Sequence, residues 1–259
     1  MTGWPVRSLR QMCFEIPRSV QRESKFELSS AEFRRRLAAK NRHNLATMGI
    51  FLLVQWIRVY FTMVIALAAV DLGGFGTAGI FAALLADSAF NFAYTVFIER
   101  AASGFRAMRP QYCSIYDPYL WWHERYWKLL ARPKIFNGTP LKSVTWRLIG
   151  VRMGKRVFDD GCGISEPTLV SVGDDCTINS GAVLQPHSME DGIFKSDHIR
   201  IGARCTLGSS AFVHYGVTMG EGSSLGTDSF LMKGEEVPAH ARWAGNPARE
   251  LAGLTLPPG

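Results

Sequence analysis

Residues 201–237 read IGARCTLGSSAFVHYGVTMGEGSSLGTDSFLMKGEEV. A large aliphatic side chain returns at every sixth position: Ile201, Leu207, Val213, Met219, Leu225, Leu231 and Val237. Glycine follows it at Gly202, Gly208, Gly220 and Gly226. Four residues after each of the first five, a second column stays small: Cys205, Ala211, Val217, Ser223 and Ser229. A helix repeats every 3.6 residues and a half-buried strand every two, so neither produces period six; a hexapeptide parallel β-helix does. Each hexad is then a short strand and a turn, with the aliphatic side chain inside a triangular prism and the small residue in a tight corner. The predicted fold class is β.

Upstream, Val172, Ile178 and Leu184 are again six apart, with Gly173 after the first and Cys176 and Ala182 in the small column. The register breaks between Leu184 and Ile201, seventeen residues apart. Gln185 to Arg200 is therefore expected to leave the prism as a loop, the usual place for a flexible side chain to reach a ligand. Leu148 to Phe158 suits the first turns of the coil, and the soluble domain is drawn over residues 136–259.

Before it, two apolar stretches run from about Leu45 to Val70 and from about Thr77 to Ile98, each long enough to cross a hydrocarbon core. The short, glycine-bearing link Asp71 to Gly76 makes them an antiparallel hairpin, residues 45–98. Arg34, Arg35, Arg36, Lys40 and Arg42 flank the entry and Arg100, Arg106 and Arg109 the exit, whereas the link has no Lys or Arg. The positive-inside rule then gives a two-pass protein of the cytoplasmic membrane with both termini and the β-helix on the cytoplasmic side. A buried soluble helical hairpin is the alternative. Residues 1–44 read as a basic cytoplasmic segment with a short helix around Ser30 to Asn41. Residues 99–135 read as an aromatic linker, with Tyr112, Tyr116, Tyr119, Trp121, Trp122, Tyr126 and Trp127 forming an interfacial helix. His123 within it is expected to be a satisfied interfacial histidine. Arg58 and Asp87 fall at the same expected depth, so they are expected to pair between the two helices.

The chain has 259 residues and 29 Lys+Arg against 22 Asp+Glu, a net charge of +7 concentrated upstream. That placement suits a membrane lipid surface; no aromatic-interleaved basic repeat argues for nucleic acid. Five cysteines lack CxxC spacing and read as reduced, packed thiols.

His187 stands at the root of the expected loop, followed by Glu190 and Asp191. A near-neutral imidazole on a rigid coil is suited to take a proton from a hydroxyl or amine as it attacks a thioester, and Glu190 or Asp191 could fix its tautomer. Asp174 to His187, Ile201 to Lys233, and Val237-Pro238 through Ala244-Gly245-Asn246-Pro247-Ala248 resemble hexapeptide-repeat acyltransferases of the galactoside and maltose acetyltransferase type. The resemblance implies a left-handed β-helix with His187 as general base, no metal, an acyl-CoA or carrier-protein phosphopantetheine thioester as donor, a small-molecule acceptor and a homotrimer. It implies donor contacts near Lys233, Gly245, Asn246 and Arg249, and a shared groove that His214 could line.

A second resemblance covers more of the chain. Cys113 to Pro118, Trp122 to Trp127, Phe136 to Pro140, Val157 to Gly161, and His187 through Phe194-Lys195 are similar to the membrane-embedded C-terminal region of ε-poly-lysine synthetase-type peptide synthetases. It implies an amino acid as acceptor, a possible carrier-protein partner and a substrate role for Lys195. One soluble domain and one hairpin are read here, without an adenylation region or carrier serine motif, which leaves a stand-alone relative or a module fed by another protein. Two further readings stay open: a non-catalytic trimeric scaffold that anchors a synthetase at the membrane, and, from His187, His198 and His214, a metal-binding γ-class carbonic anhydrase, whose spacing these histidines do not match.

Overall fold

The computed structural model describes residues 29–73, 76–130, 136–190 and 192–251; Asp191, part of the interhelical link and most of the basic N-terminal segment lie outside them. The period of six builds three parallel sheets. Strands β2 (Arg152–Met153), β5 (Val170–Val172), β10 (Ile199–Ile201), β13 (Thr218–Met219) and β16 (Glu236–Val237) form the first sheet. Strands β3 (Phe158–Asp159), β6 (Thr177–Ile178), β11 (Thr206–Leu207), β14 (Ser224–Leu225) and β17 (Arg242–Gly245) form the second, closed by antiparallel β18 (Ala248–Glu250). Strands β4 (Gly163–Ile164), β7 (Val183–Gln185), β12 (Phe212–His214) and β15 (Phe230–Leu231) form the third.

Downstream, paired residues are eighteen apart, as in Ile201 with Met219 and Leu207 with Leu225. One turn is therefore three hexads. The aliphatic and small columns both face inward: Leu207, Val213, Leu231, Cys205 and Ala211 are fully buried in one core. The residue just before each small one turns the corner in the left-handed region, as at Asp175, Arg204, Ser210, Asp228 and His240. The glycines after the aliphatics have a different cause. A Cβ on Gly220 would lie 2.5 Å from the Ala239 nitrogen, so neighbouring turns approach too closely for any side chain there.

Below Leu184 the hexad rhythm fades because the turns carry extra residues: Asp159 pairs with Ile178 and Ile164 with Leu184, nineteen and twenty apart. The region read as first turns is partly a helix. Helix α4 (Pro140–Ile149) starts on a proline and stops at Gly150 in the left-handed region, and its Trp146 and Ile149 close the end of the core.

The excursion after β7 is more ordered than a loop. Strands β8 (His187–Glu190) and β9 (Ile193–Ser196) make an antiparallel hairpin, and β1 (Gln111–Ser114) adds a third strand along β9. Pairs across this insertion are twenty-nine apart, as in Val172 with Ile201.

Helix α1 (Ser30–Gly73) is continuous for 44 residues. The expected boundary at 44/45 is not a break, and the expected short helix around Ser30 to Asn41 is its first three turns. Helix α2 (Thr77–Ala102) packs against it, and both are long and apolar enough to cross a membrane by length and composition. The expected Arg58–Asp87 pair is not formed. Asp87 Oδ1 accepts from Thr62 Oγ1 at 2.7 Å, and the Arg58 guanidinium lies 5.6 Å from the Tyr94 ring centre. Because α1 runs on to Gly73 rather than ending near Val70, Asp87 is level with Thr62, one turn further along.

Residues 111–130 differ from the interfacial reading. Helix α3 (Pro118–Leu129) is capped by Asp117, which accepts from the Tyr119 N–H at 2.8 Å, and buries Leu120, Trp121, His123, Tyr126 and Leu129. The aromatic residues are largely packing material between the hairpin and the prism.

Thermal melting of the full chain in detergent checks the hairpin register. Thr62→Val and Asp87→Ala should be non-additive by about 1 kcal/mol, whereas Arg58→Ala and Asp87→Ala should add.

Candidate active site

Strands β4, β7, β12 and β15 are successive neighbours in one sheet. The residues that follow them therefore stack at one corner of the prism, about 4.8 Å apart per turn. Ser165 and Glu166 follow β4, Pro186 and His187 follow β7, His214 ends β12, and Met232 and Lys233 follow β15. The hexapeptide register thus lines up a carboxylate, two histidines and a lysine along one edge.

Glu166 is the centre of the group. Its side chain is fully buried, yet it collects four donors: His187 Nδ1 at 2.9 Å, His123 Nε2 at 2.9 Å, Trp127 Nε1 at 2.8 Å and Ser165 Oγ at 2.6 Å. Burial pushes this carboxyl up, but the hydrogen bonds from His123 and His187 and their charge outweigh it and hold Glu166 well below the usual carboxylate range. It is ionised throughout the neutral range and can only accept. Nδ1 of His187 must then carry the proton, which leaves Nε2 as the open lone pair. Among the described residues Nε2 has no hydrogen-bond partner. The ring packs against two aromatic neighbours, 4.6 Å from Trp127 and 5.8 Å from Phe194 between centroids.

His214 lies one turn further along. Its Nδ1 accepts the Tyr215 N–H at 3.0 Å. Burial, then the nearby Lys233 charge, lowers its pKa to about 4, so the ring is neutral at physiological pH. Two other groups beside the cluster are also held neutral: burial pushes the Tyr119 phenol up to about 12 and the Cys113 thiol up to about 11. His187 is the group here whose orientation suits it to act as a base.

The other residues singled out from sequence divide into two sets. Glu190 does not touch the His187 ring; it pairs with Lys233 across the mouth of the hairpin. The role given to Glu190 or Asp191 in fixing the tautomer falls to Glu166, and Asp191 lies outside the described residues. Lys195, on β9, lies with Nζ 5.7 Å from the Tyr112 ring centre. Gly245, Asn246 and Arg249 sit on the last turn, where the Gly245 N–H donates to Ser229 Oγ and Arg249 pairs with Glu235. They are not brought to His187 within one chain. His198 is half-exposed beside Asp197, as expected for a loop-end residue. No group of three or more His, Cys, Asp or Glu side chains able to hold a metal ion occurs among the described residues.

Sequence reasoning missed Glu166, Ser165 and Trp127 and assigned His123 to an interface. Glu166 falls in the stretch where the hexad rhythm is lost. His123 and Trp127 did carry a signal, since four residues apart on a helix is one face.

Two comparisons by sequence agree with the resemblances read above. A family model described as the hexapeptide repeat of succinyl-transferase matches residues 198–231. The delta-poly-L-ornithine synthetase of Acinetobacter baumannii strain AB307-0294 is 32% identical over 146 residues, which is 54% of this chain and 11% of that protein. The chain thus spans about a ninth of the length of this relative. Among solved structures, a maltose O-acetyltransferase from Clostridium difficile 630 is 16% identical with a TM-score of 0.39, covering 56% of this chain and 97% of its own. A hexapeptide-repeat acetyltransferase from Vibrio cholerae O1 biovar eltor, in complex with acetyl-coenzyme A, is 21% identical with a TM-score of 0.36, covering 39% and 58%.

The His214 shift makes a prediction about stability. Its folded value is lowered below the ordinary 6.5, so between about 4 and 6.5 the unfolded chain takes a proton that the folded chain refuses. Stability should therefore fall as pH drops below 6.5, by at most about 3 kcal/mol at pH 4. Denaturation midpoints from pH 7.5 to 4.5 should show this loss in the wild type, and a smaller loss in His214→Asn.

Proposed function

We propose that the chain is a membrane-anchored acyltransferase built on a left-handed β-helix. It moves an acyl or aminoacyl group from a phosphopantetheine thioester, on CoA or a carrier protein, to an amine or hydroxyl. The observation that carries this reading is the Nδ1 contact of His187 with a buried, ionised Glu166, at the point where a hairpin leaves a hexapeptide coil. The family match over the repeat supports acyl transfer, and the name of the poly-ornithine relative supports an amino acid bearing a side-chain amine as acceptor. The candidate spans, with the Lys and Arg that flank them, support anchoring with the prism and both termini on the cytoplasmic side.

In this reading Nε2 of His187 takes the proton of the acceptor amine or hydroxyl as its lone pair attacks the thioester carbonyl. The imidazolium is stabilised by Glu166, which orients the ring and remains ionised. Backbone N–H groups of the coil face the oxyanion. Collapse of the tetrahedral species breaks the C–S bond, and the thiolate takes the proton back. His214 and Glu190 shape the acceptor side of the corner, and Lys233, paired with Glu190, stands between it and the donor side. Lys195, Gly245, Asn246 and Arg249 hold the donor. The distance of the last turn from His187 within one chain fits a groove shared between neighbours in a homotrimer.

Purified full-length chain, given acetyl-CoA or carrier-bound aminoacyl thioesters with L-ornithine or L-lysine, should form amide products readable by mass spectrometry. His187→Ala should lower the rate about a hundredfold or more, and Glu166→Gln about tenfold or more. Because Glu166 stays ionised, its loss should be felt at every pH from 6 to 9. Wild-type turnover in a folded His187→Ala variant would end this reading.

A further inference from the structure

Two of the four donors on Glu166 do not come from the prism. His123 and Trp127 stand one helical turn apart on α3, on the face turned to the prism. The other faces of α3 are fastened to the helical hairpin. Arg125 Nε donates to Thr47 Oγ1 at 2.9 Å, and Arg125 Nη2 lies 3.2 Å from His43 Nδ1. His43 Nε2 donates to the Trp121 carbonyl at 3.0 Å, and Lys40 pairs with Glu124 at 3.3 Å. On α2, Glu99 Oε1 accepts from Tyr126 Oη at 2.8 Å. Thr47, Glu99 and His123 are all nearly inaccessible to solvent. The helix is therefore a rigid strut, with the hairpin at one side and the Glu166 carboxylate at the other.

We infer that α3 is a positioning element: the helical hairpin holds His123 and Trp127 on Glu166 and thereby sets how strongly His187 binds a proton. This inference rests on the proposed role of His187 as base. Two imidazoles share one carboxylate. Each hydrogen bond that His123 and Trp127 donate draws off charge that Glu166 would otherwise direct at His187. With α3 docked, Glu166 orients His187 through Nδ1 while sharing its charge among four donors. With α3 withdrawn, Glu166 keeps Ser165 and His187 alone, and the imidazolium is held more tightly. Other titratable and charged groups lie around the cluster: His214 and Lys233 on the later turns, Glu190 on the hairpin strand, Cys113 on β1 and Tyr119 on α3 itself. They stay in place in the variants below. A disturbance of α1 near Thr47 would reach the base through Arg125 without any change in the prism.

Diethyl pyrocarbonate acylates neutral imidazole, so the rate at which it labels His187 against pH reads Nε2 without requiring the true substrate. The full chain in lipid nanodiscs is labelled from pH 5 to 8, with the exposed His198 as the internal control and peptide mass spectrometry as the readout. His123→Phe should raise the midpoint of His187 labelling by about half a pH unit or more, and Trp127→Phe should act in the same direction. His123→Gln, which keeps an N–H donor, should stay close to wild type. Arg125→Ala, and the milder Lys40→Met, should shift the midpoint as His123→Phe does while leaving circular dichroism and elution volume unchanged. An unchanged midpoint in His123→Phe would overturn the inference, and a shift there without one in Arg125→Ala and Lys40→Met would overturn the part assigned to the hairpin. If wild-type His187 resists labelling while His198 reacts, the reading of His187 as an open base is itself wrong.

Discussion

A carboxylate removed from water is costly unless donors replace the water it has lost. Glu166 is in that position, and much of the surrounding architecture can be understood as its replacement shell. The shell draws on three parts of the chain. Ser165 comes from the same turn, His187 from the root of the hairpin, and His123 and Trp127 from α3. Removing any one leaves a buried charge short of a partner, which costs more than the hydrogen bond itself is worth. The parts of the molecule are thus joined by a polar contact as well as by the continuous apolar core of the prism.

The aromatic packing serves the same end. Phe194 is fully buried between the hairpin and α3, and it lies within 6.2 Å of Tyr119, His123, Trp127 and His187 between ring centroids. These contacts exclude water from the Glu166 side of the imidazole and keep the local dielectric low, where a charge–dipole arrangement is strongest. The short sheet β1–β9–β8 holds Phe194 in place, pairing Cys113 with it across the strands. A segment that leaves the coil is thereby tied back to it by pairing and packing.

How far the sequence could be read depended on how local the cause was. The inward columns from Ile201 to Val237 were legible because a turn of fixed length forces a fixed spacing. His187 was legible because it marks the point where that spacing fails. Glu166 was not, since the turn that carries it has a different length and no spacing to betray it. The aromatic run of α3 showed an element that packs, but not against what: hydropathy cannot separate a bilayer interface from a buried protein surface, and His123 was placed on the wrong side of that choice. The Arg58–Asp87 register failed for a smaller reason, the extra turn at the end of α1.

The eighteen-residue turn also sets a phase for the chain. Six residues added after Gly216 would preserve the inward aliphatic column, since every later hexad would still present its aliphatic residue. They would also advance everything downstream by one face, carrying Lys233 off the corner it shares with Glu190. The core is indifferent to such a change, while the corner is not. Among the eighteen-residue turns, length variation is therefore constrained twice over, in sixes by packing and in eighteens by chemistry.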